Sequence, residues 1–345
     1  MRPLLISLFA CALLHGTAGA AALDAEPLPA LRADLSRVSV SGLDAGGFLA
    51  ADLATAYSAT FMGAGILEAG PYHCVGSRPA NVSPLAAAQD CMAPLSAALA
   101  PDPAAAYASA VRDAAAGRID PVRNLERQRV YLFAGQNDRI VKPAAVAAAD
   151  GYYRRAGVAP EQLRFVQHPE AGHAIVTNSA DDFPCNAAAL PYINQCGFMQ
   201  SHEMLRHIYP DMTNAPAARP TGRLLRFDQA AFVAGARTAM DASAWVYVPA
   251  RCAQGGCAVH VALHGCRQGQ SAIGQRFVQG TGYNEFADAN GIVVLYPQVH
   301  ASDVPANPRG CWDFWGYADA ATLHTRDAPQ ARAIVAMVRR LGAAQ

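Results

Sequence analysis

The chain has 345 residues, 52% hydrophobic and only 16% charged, which is enough apolar material for a substantial core in one large α/β domain or two smaller ones. Its 27 basic and 27 acidic residues cancel, and no basic run or cationic amphipathic helix stands out. That balance argues against nucleic acid or a membrane surface as partner and suits an uncharged or apolar substrate better than a polyanion.

The opening stretch MRPLLISLFACALLHGTAGA carries one cation, Arg2, then an apolar run, then small residues ending at Ala20. This is the pattern of a secretory signal peptide, residues 1–20, and the apolar run is short for a bilayer span. A lipoprotein reading with Cys11 as the acylated residue fits less well, because the apolar stretch before it is very short. The expected location is therefore extracellular or periplasmic.

VSVSGLDAGGFLAADLATAYS, from Val38 to Ser58, has the outline of a strand, a glycine turn and a helix running from Gly47 to about Tyr57. Gly42-Leu43-Asp44-Ala45-Gly46 resembles a nucleophile elbow, G-x-S-x-G, with Asp44 at the apex. In such an elbow the flanking glycines let strand and helix approach closely. The central side chain then projects at a helix N-terminus, where backbone N–H groups can stabilise negative charge. Strand-like runs follow at Phe61–Leu67, Arg129–Gly135 and Leu163–Pro169. Asp138 comes just after the second of these, in GQNDRIV, and His173 just after the third, in EAGHAIVT. Taken singly, Asp138 reads as a turn residue and His173 as a loop histidine. Together, the order apex, acid, histidine is that of α/β-hydrolases.

A proline-rich seam at Pro210–Gly222 joins two halves. The second half adds strands at Ala244–Pro249, Ala258–Gly265 and Gly291–Pro297. Apolar strands alternating with helices predict a mainly parallel sheet covered on both faces. The strand ending His264-Gly265-Cys266 resembles the HG-type segment that supplies an oxyanion-hole N–H, a segment that ordinarily precedes the elbow. Its downstream position predicts a circularly permuted α/β-hydrolase, residues 21–345 forming one catalytic domain, with the Ala45 and Cys266 amides as oxyanion donors. HEMLRH (His202–His207) spaces its histidines five apart rather than four, so no metal site is expected there, and GAGILEAG lacks the glycine positions of a dinucleotide fingerprint.

Without Cys11, eight cysteines remain, an even number that in an exported chain points to disulfides rather than metal. Sequence leaves their connectivity open. Short loop closures suggest Cys74–Cys91, Cys185–Cys196 and Cys252–Cys257, leaving Cys266–Cys311.

With AGPYHC, GYNEFADANGIVVLYPQ and GCWDFWGY added to the segments above, the chain resembles the secreted, single-domain poly(3-hydroxybutyrate) depolymerases from about Val38 to its last helix. The resemblance implies an extracellular esterase acting on a hydrophobic polyester or short-chain ester, with no metal or organic cofactor. It implies Asp138 as triad acid, His173 as base, Ala45 and Cys266 as oxyanion donors, and Trp312 beside the substrate crevice. The sequence ends soon after the resembling region, so any polymer-binding surface is expected on the same domain.

Asp44 stands where that family has serine. A serine attacks an ester carbonyl after passing its proton to histidine; a carboxylate doing so would form a reactive anhydride. Carboxylates suit attack at carbon in alkyl halides or epoxides, a reading for which Trp312 and Trp315 are candidate halide-stabilising donors. Ser41, on the strand, is expected to point elsewhere. Asp44 at a helix N-terminus is expected to stay ionised, to make His173 an imidazolium, and to occupy the oxyanion donors. The expected result is an intact fold with strongly reduced esterase activity, or a polyester-binding relative that does not cut.

Overall fold

The computed structural model describes residues 25–75, 83–233 and 237–344. The expected leader lies outside these residues. Among them, no helix is long and apolar enough to cross a membrane.

The first half of the chain supplies four strands, β1 (Val38–Leu43), β2 (Phe61–Leu67), β3 (Arg129–Gly135) and β4 (Leu163–His168). Three very short strands follow, β5 (Ile175–Thr177), β6 (Phe183–Pro184) and β7 (Ile193–Gln195). The second half supplies β8 (Arg223–Asp228), β9 (Ser243–Val248), β10 (Ala258–Leu263) and β11 (Ile292–Tyr296). Across the main sheet the order is β4-β3-β2-β1-β10-β11-β9-β8. The strands from β4 to β11 run parallel, and β9 and β8 add an antiparallel edge. Counted from β8 in the other direction, this is the α/β-hydrolase sheet with its two halves exchanged along the chain. β1 sits at the junction, paired with β2 on one side and β10 on the other.

Every residue of β1, β10 and β11 is buried, as a parallel strand covered on both faces requires. The longer helices are α1 (Ala45–Ala56), α2 (Pro103–Ala115), α3 (Pro143–Arg155), α4 (Gln200–Ile208), α5 (Tyr283–Asn290) and α6 (Pro329–Gly342). Proline at the first turn of α2, α3 and α6 sets φ for helix entry and removes an N–H that has no partner there. α1, α2, α3 and α6 bury Phe48, Ala110, Val146 and Ile334 on one face of the sheet. α4 and α5 bury Met204, Ile208 and Phe286 on the other.

A polar network lies inside that second face. His260 Nδ1 is 2.7 Å from Ser39 Oγ and its Nε2 2.8 Å from Ser41 Oγ; the two hydroxyls reach Tyr209 and Tyr283, each at 2.7 Å. Burial pushes the His260 imidazole down to about 3, so the ring is neutral and serves as one donor and one acceptor. Ser41 is fully engaged there, pointing away from the elbow apex as expected.

The seam at 210–222 runs along α5. Asn214 N donates to Asn290 Oδ1, Ala217 N to Glu285 O, and Gly222 N to Asp288 Oδ1. All four expected disulfides are present: Cys74–Cys91, Cys185–Cys196, Cys252–Cys257 and Cys266–Cys311. Sequence reading missed β8 and the small β5-β7-β6 sheet. These runs are short or mixed in polarity, and their pairing is set by neighbours rather than by local pattern.

Candidate active site

Parallel strands carry their C-terminal ends to a common edge. β1, β2, β3, β4 and β10 all end there, in the registers Leu43 with Leu67, Gly42 with Leu263, Leu67 with Phe133, and Gly135 with His168. The loops leaving those ends carry Asp44, Glu68, Asp138, His173 and Cys266.

Asp44 joins β1 to α1 at φ 56 and ψ −124, a backbone region that L-residues adopt only where the surroundings enforce it, at roughly 1–3 kcal/mol. The enforcing contacts are the Asp44 amide donating to Leu67 O and the Phe48 amide donating to Asp44 O. The flanking glycines allow the approach. A Cβ on Gly42 would lie 2.3 Å from the Gly46 carbonyl, and one on Gly46 would lie 2.5 Å from the His264 carbonyl oxygen. The elbow geometry inferred from the glycine spacing is therefore present.

The Asp44 side chain is 3% exposed. Its Oδ2 accepts the Cys266 amide at 3.1 Å, and Oδ1 has no partner. Burial pushes its carboxyl above the usual range, opposed by the His173 charge and by the Cys266 and Ala45 amides. This shift runs against the stabilisation of an anion expected from the helix N-terminus: desolvation outweighs the helix-end amides, because the apex is enclosed rather than facing water. The carboxylate does reach the Cys266 amide, one of the two amides it was expected to occupy.

His173 sits in the loop between β4 and β5. The Gly172 amide donates to Cys185 O and the Ile175 amide to Tyr192 O, so the small sheet and its Cys185–Cys196 bond hold this loop. Its Nδ1 lies 2.8 Å from Asp138 Oδ2. Asp138 is fixed in turn, with Oδ1 accepting the Ile140 and Val141 amides at 2.7 and 2.9 Å. Asp44, Asp138 and His173, far apart in sequence, thus converge at one edge.

A residue that sequence reading passed over joins them. Glu68 follows β2 at φ 49, fully buried, with Oε2 3.0 Å from His173 Nδ1. Burial, then the Asp138 charge, raise its carboxyl well above the ordinary value. Burial alone would lower the His173 pKa, but Glu68 and Asp138 together raise it well above the usual histidine value, favouring the protonated ring. The missed signal was an acid directly after the apolar run FMGAGIL, the same strand-end placement that singled out Asp138.

Glu68, Asp138 and His173 each offer one ligand atom within 4.8 Å of the others, the grouping nearest to a metal donor set. His168 lies near Cys185 and Cys196, but those thiols are joined to each other. His202 and His207 face the carbonyls of Gly282 and Gln162 instead of one another.

Cys266 is bonded to Cys311, which tethers the aromatic segment 312–317 to the chain at Cys266. Trp312 is fully enclosed, its ring 5.5 Å from that of His264. Trp315 instead lines an apolar cavity of about 400 Å³ together with Cys266, Cys311, Phe314, Met92 and Pro84. The cavity opens beside Cys266.

The profile of the Esterase PHB depolymerase family matches residues 242–344. The chain is 39% identical over 322 residues to a poly(3-hydroxybutyrate) depolymerase of Delftia acidovorans, an alignment covering 91% of this chain and 61% of that one. It is 33% identical over 327 residues to a polyhydroxybutyrate depolymerase of Talaromyces funiculosus, covering 87% of this chain and 88% of that one. The chain thus spans about three fifths of the Delftia relative's length and nearly all of the Talaromyces relative's. The crystal structure of the PHB depolymerase from Penicillium funiculosum superposes with a TM-score of 0.80 at 31% identity, covering 91% of this chain and 98% of that one. A serine-to-alanine variant of a PHB depolymerase complexed with an R3HB trimer gives a TM-score of 0.81 at 30% identity, with the same coverage. With about nine-tenths of its length aligned to these relatives and its fold superposing on the two solved structures, this chain belongs to the polyhydroxybutyrate depolymerase family.

Proposed function

We propose that this protein is an exported ester hydrolase of short-chain polyester, poly(3-hydroxybutyrate) or its oligomers, whose cleavage is attenuated by its own apex residue. The carrying observation is the hydrogen bond from the Cys266 amide to Asp44 Oδ2. In an acyl-transfer site that amide should hold the oxyanion that develops on the attacked carbonyl. Here it already holds a side-chain oxygen. The base is disfavoured as well, because the acids beside His173 raise its pKa and so favour the protonated ring, which cannot accept a proton. Asp138 orients His173, the Ala45 and Cys266 amides are the oxyanion donors, and the cavity lined by Met92, Phe314 and Trp315 receives apolar ester units. The leader-like N-terminus and four disulfides support location outside the cytosol.

One observation favours a second reading. With Oδ2 held by an amide and the buried Oδ1 without a hydrogen-bond partner, Asp44 has one fixed and one uncommitted oxygen. That arrangement suits attack by Oδ1 on carbon, releasing a halide or opening an epoxide and leaving an ester for water to cleave. Intact-mass measurement after incubation with a 3-hydroxybutyrate dimer ester decides the first reading: slow release of monomer without a lasting adduct supports it, and no cleavage even at high enzyme concentration counts against it. Bromide released from a bromoalkane would establish the second.

A further inference from the structure

His173 meets two acids through one nitrogen. Nδ1 is 2.8 Å from Asp138 Oδ2 and 3.0 Å from Glu68 Oε2. The acids leave the ends of neighbouring strands, β3 and β2, whose register pairs Leu67 with Phe133. The Glu68 amide donates to Phe133 O, which fixes where its side chain starts. The rest of their surroundings differs. Asp138 accepts two backbone amides on its other oxygen, whereas neither Glu68 oxygen has an aligned hydrogen bond, although the side chain is fully enclosed. Two carboxylates so close together in a buried site repel each other, and the one without amide donors is the more readily protonated. Asp44 completes the set of charged groups around the ring, and the edge of Tyr192 closes it on a further side.

We propose that Glu68 is a reserve partner for His173, positioned to take over its Nδ1–H whenever Asp138 is lost or neutralised. If Asp138 becomes protonated, the proton has only passed from one carboxyl to the other. If Asp138 is replaced, the Glu68 proton leaves to solvent. In either case the imidazole keeps the same tautomer and tilt, so Glu68 is a positioning residue. For its catalytic consequence the inference rests on the ester-hydrolase reading of the site.

The test has two readouts. In histidine-labelled protein, with His173→Ala assigning the resonance, the His173 ring should still titrate above its ordinary value in Asp138→Asn and in Glu68→Gln. In the double variant it should fall to or below that value. In an Asp44→Ser background, each single variant should lose less than about tenfold in kcat/KM for a short acyl ester. The double should lose about 10³–10⁴-fold, the scale set by removing a lone triad acid. Should Asp138→Asn/Glu68→Gln fail to fold, Asp138→Asn/Glu68→Asp withdraws the reserve acid by one methylene and should show the same loss. Asp138→Asn alone abolishing both the raised titration and the activity, with Glu68→Gln silent, overturns the proposal. If Asp44→Ser shows no turnover at all, the hydrolase reading fails, and the titration still decides the role of Glu68.

Discussion

Replacing Asp44 by Ser removes three obstacles with one change. The Cys266 amide, now 3.1 Å from Asp44 Oδ2, becomes free for substrate. One oxyanion donor is worth about 10²–10³ in rate, roughly 2.7–4 kcal/mol of transition-state stabilisation. His173 loses one carboxyl whose charge favours its protonated form, while Glu68 and Asp138, the stronger influences on it, remain. A hydroxyl nucleophile then forms an ordinary acyl ester in place of an anhydride. Hydrolysis of p-nitrophenyl butyrate near neutral pH should therefore rise at least about 10²-fold in kcat/KM. Stability should rise too. Asp44 Oδ1 is buried with no partner, a penalty of about 1–3 kcal/mol that serine does not carry, while the backbone strain at φ 56 remains. Urea unfolding should show the gain as a higher midpoint at unchanged slope. Asp44→Asn is the control: it keeps the shape and removes the charge, so it should gain stability but no comparable activity. A wild-type chain already as active as Asp44→Ser, or an Asn variant that matches Ser, would refute the reasoning about the blocked donor and the missing nucleophile.

Glu68 gives a pH prediction. Its folded-state pKa is raised well above 4.5, so its contribution to stability is whole below 4.5 and is lost as pH rises through the raised value. Relative to Glu68→Gln, wild type should be most stable in mild acid, and its advantage should shrink by up to about 1.4 kcal/mol per pH unit on the way to alkaline solution. An advantage that grows with pH would mean Glu68 is buried as a well-paired anion. Removing the Cys266–Cys311 bond by double alanine substitution opens a loop of 45 residues and should lower stability by up to about 4 kcal/mol in chemical unfolding, while also slowing the Asp44→Ser enzyme as the oxyanion amide loosens. His260→Phe leaves the Ser39 and Ser41 hydroxyls without their ring partner and should destabilise by about 2–4 kcal/mol. Turnover by folded Asp44→Ser protein should be little changed; a large kinetic effect would mean that the network helps to set the elbow. Trp315→Ala should weaken adsorption to polyester particles more than cleavage of a small soluble ester, and equal losses would place Trp315 against the reacting group itself.

The strands and the convergence of Asp44, Asp138 and His173 were legible because each rests on a short local pattern, an apolar run followed by a glycine-rich turn. The permutation was legible from one displaced segment, HGC, after β10. What could not be read was anything decided between strands. GAGILEAG was weighed only as a nucleotide fingerprint. Nothing within those eight letters says that Glu68 and Asp138, one strand apart, reach the same nitrogen. The direction in which the fold shifts the Asp44 carboxyl was hidden for a similar reason. A helix N-terminus favours an anion only when water or enough donors surround it, and enclosure is a property of the folded neighbourhood. The position of Trp312, fully enclosed while Trp315 faces the cavity, is likewise set by packing against His264 and not by the motif GCWDFWGY.

The place of β1 between β2 and β10 has a consequence for how the protein comes into being. During synthesis, β1 emerges early and β10 late, so for most of that time one edge of a strand that is buried throughout in the finished fold has no neighbour from its own chain. A ribosome stalled before residue 258 would release a fragment with that edge bare, a ready template for pairing with another copy. Chaperones that keep the nascent polypeptide extended until its final third arrives therefore matter more for this permuted order than for one in which neighbouring strands are made in succession.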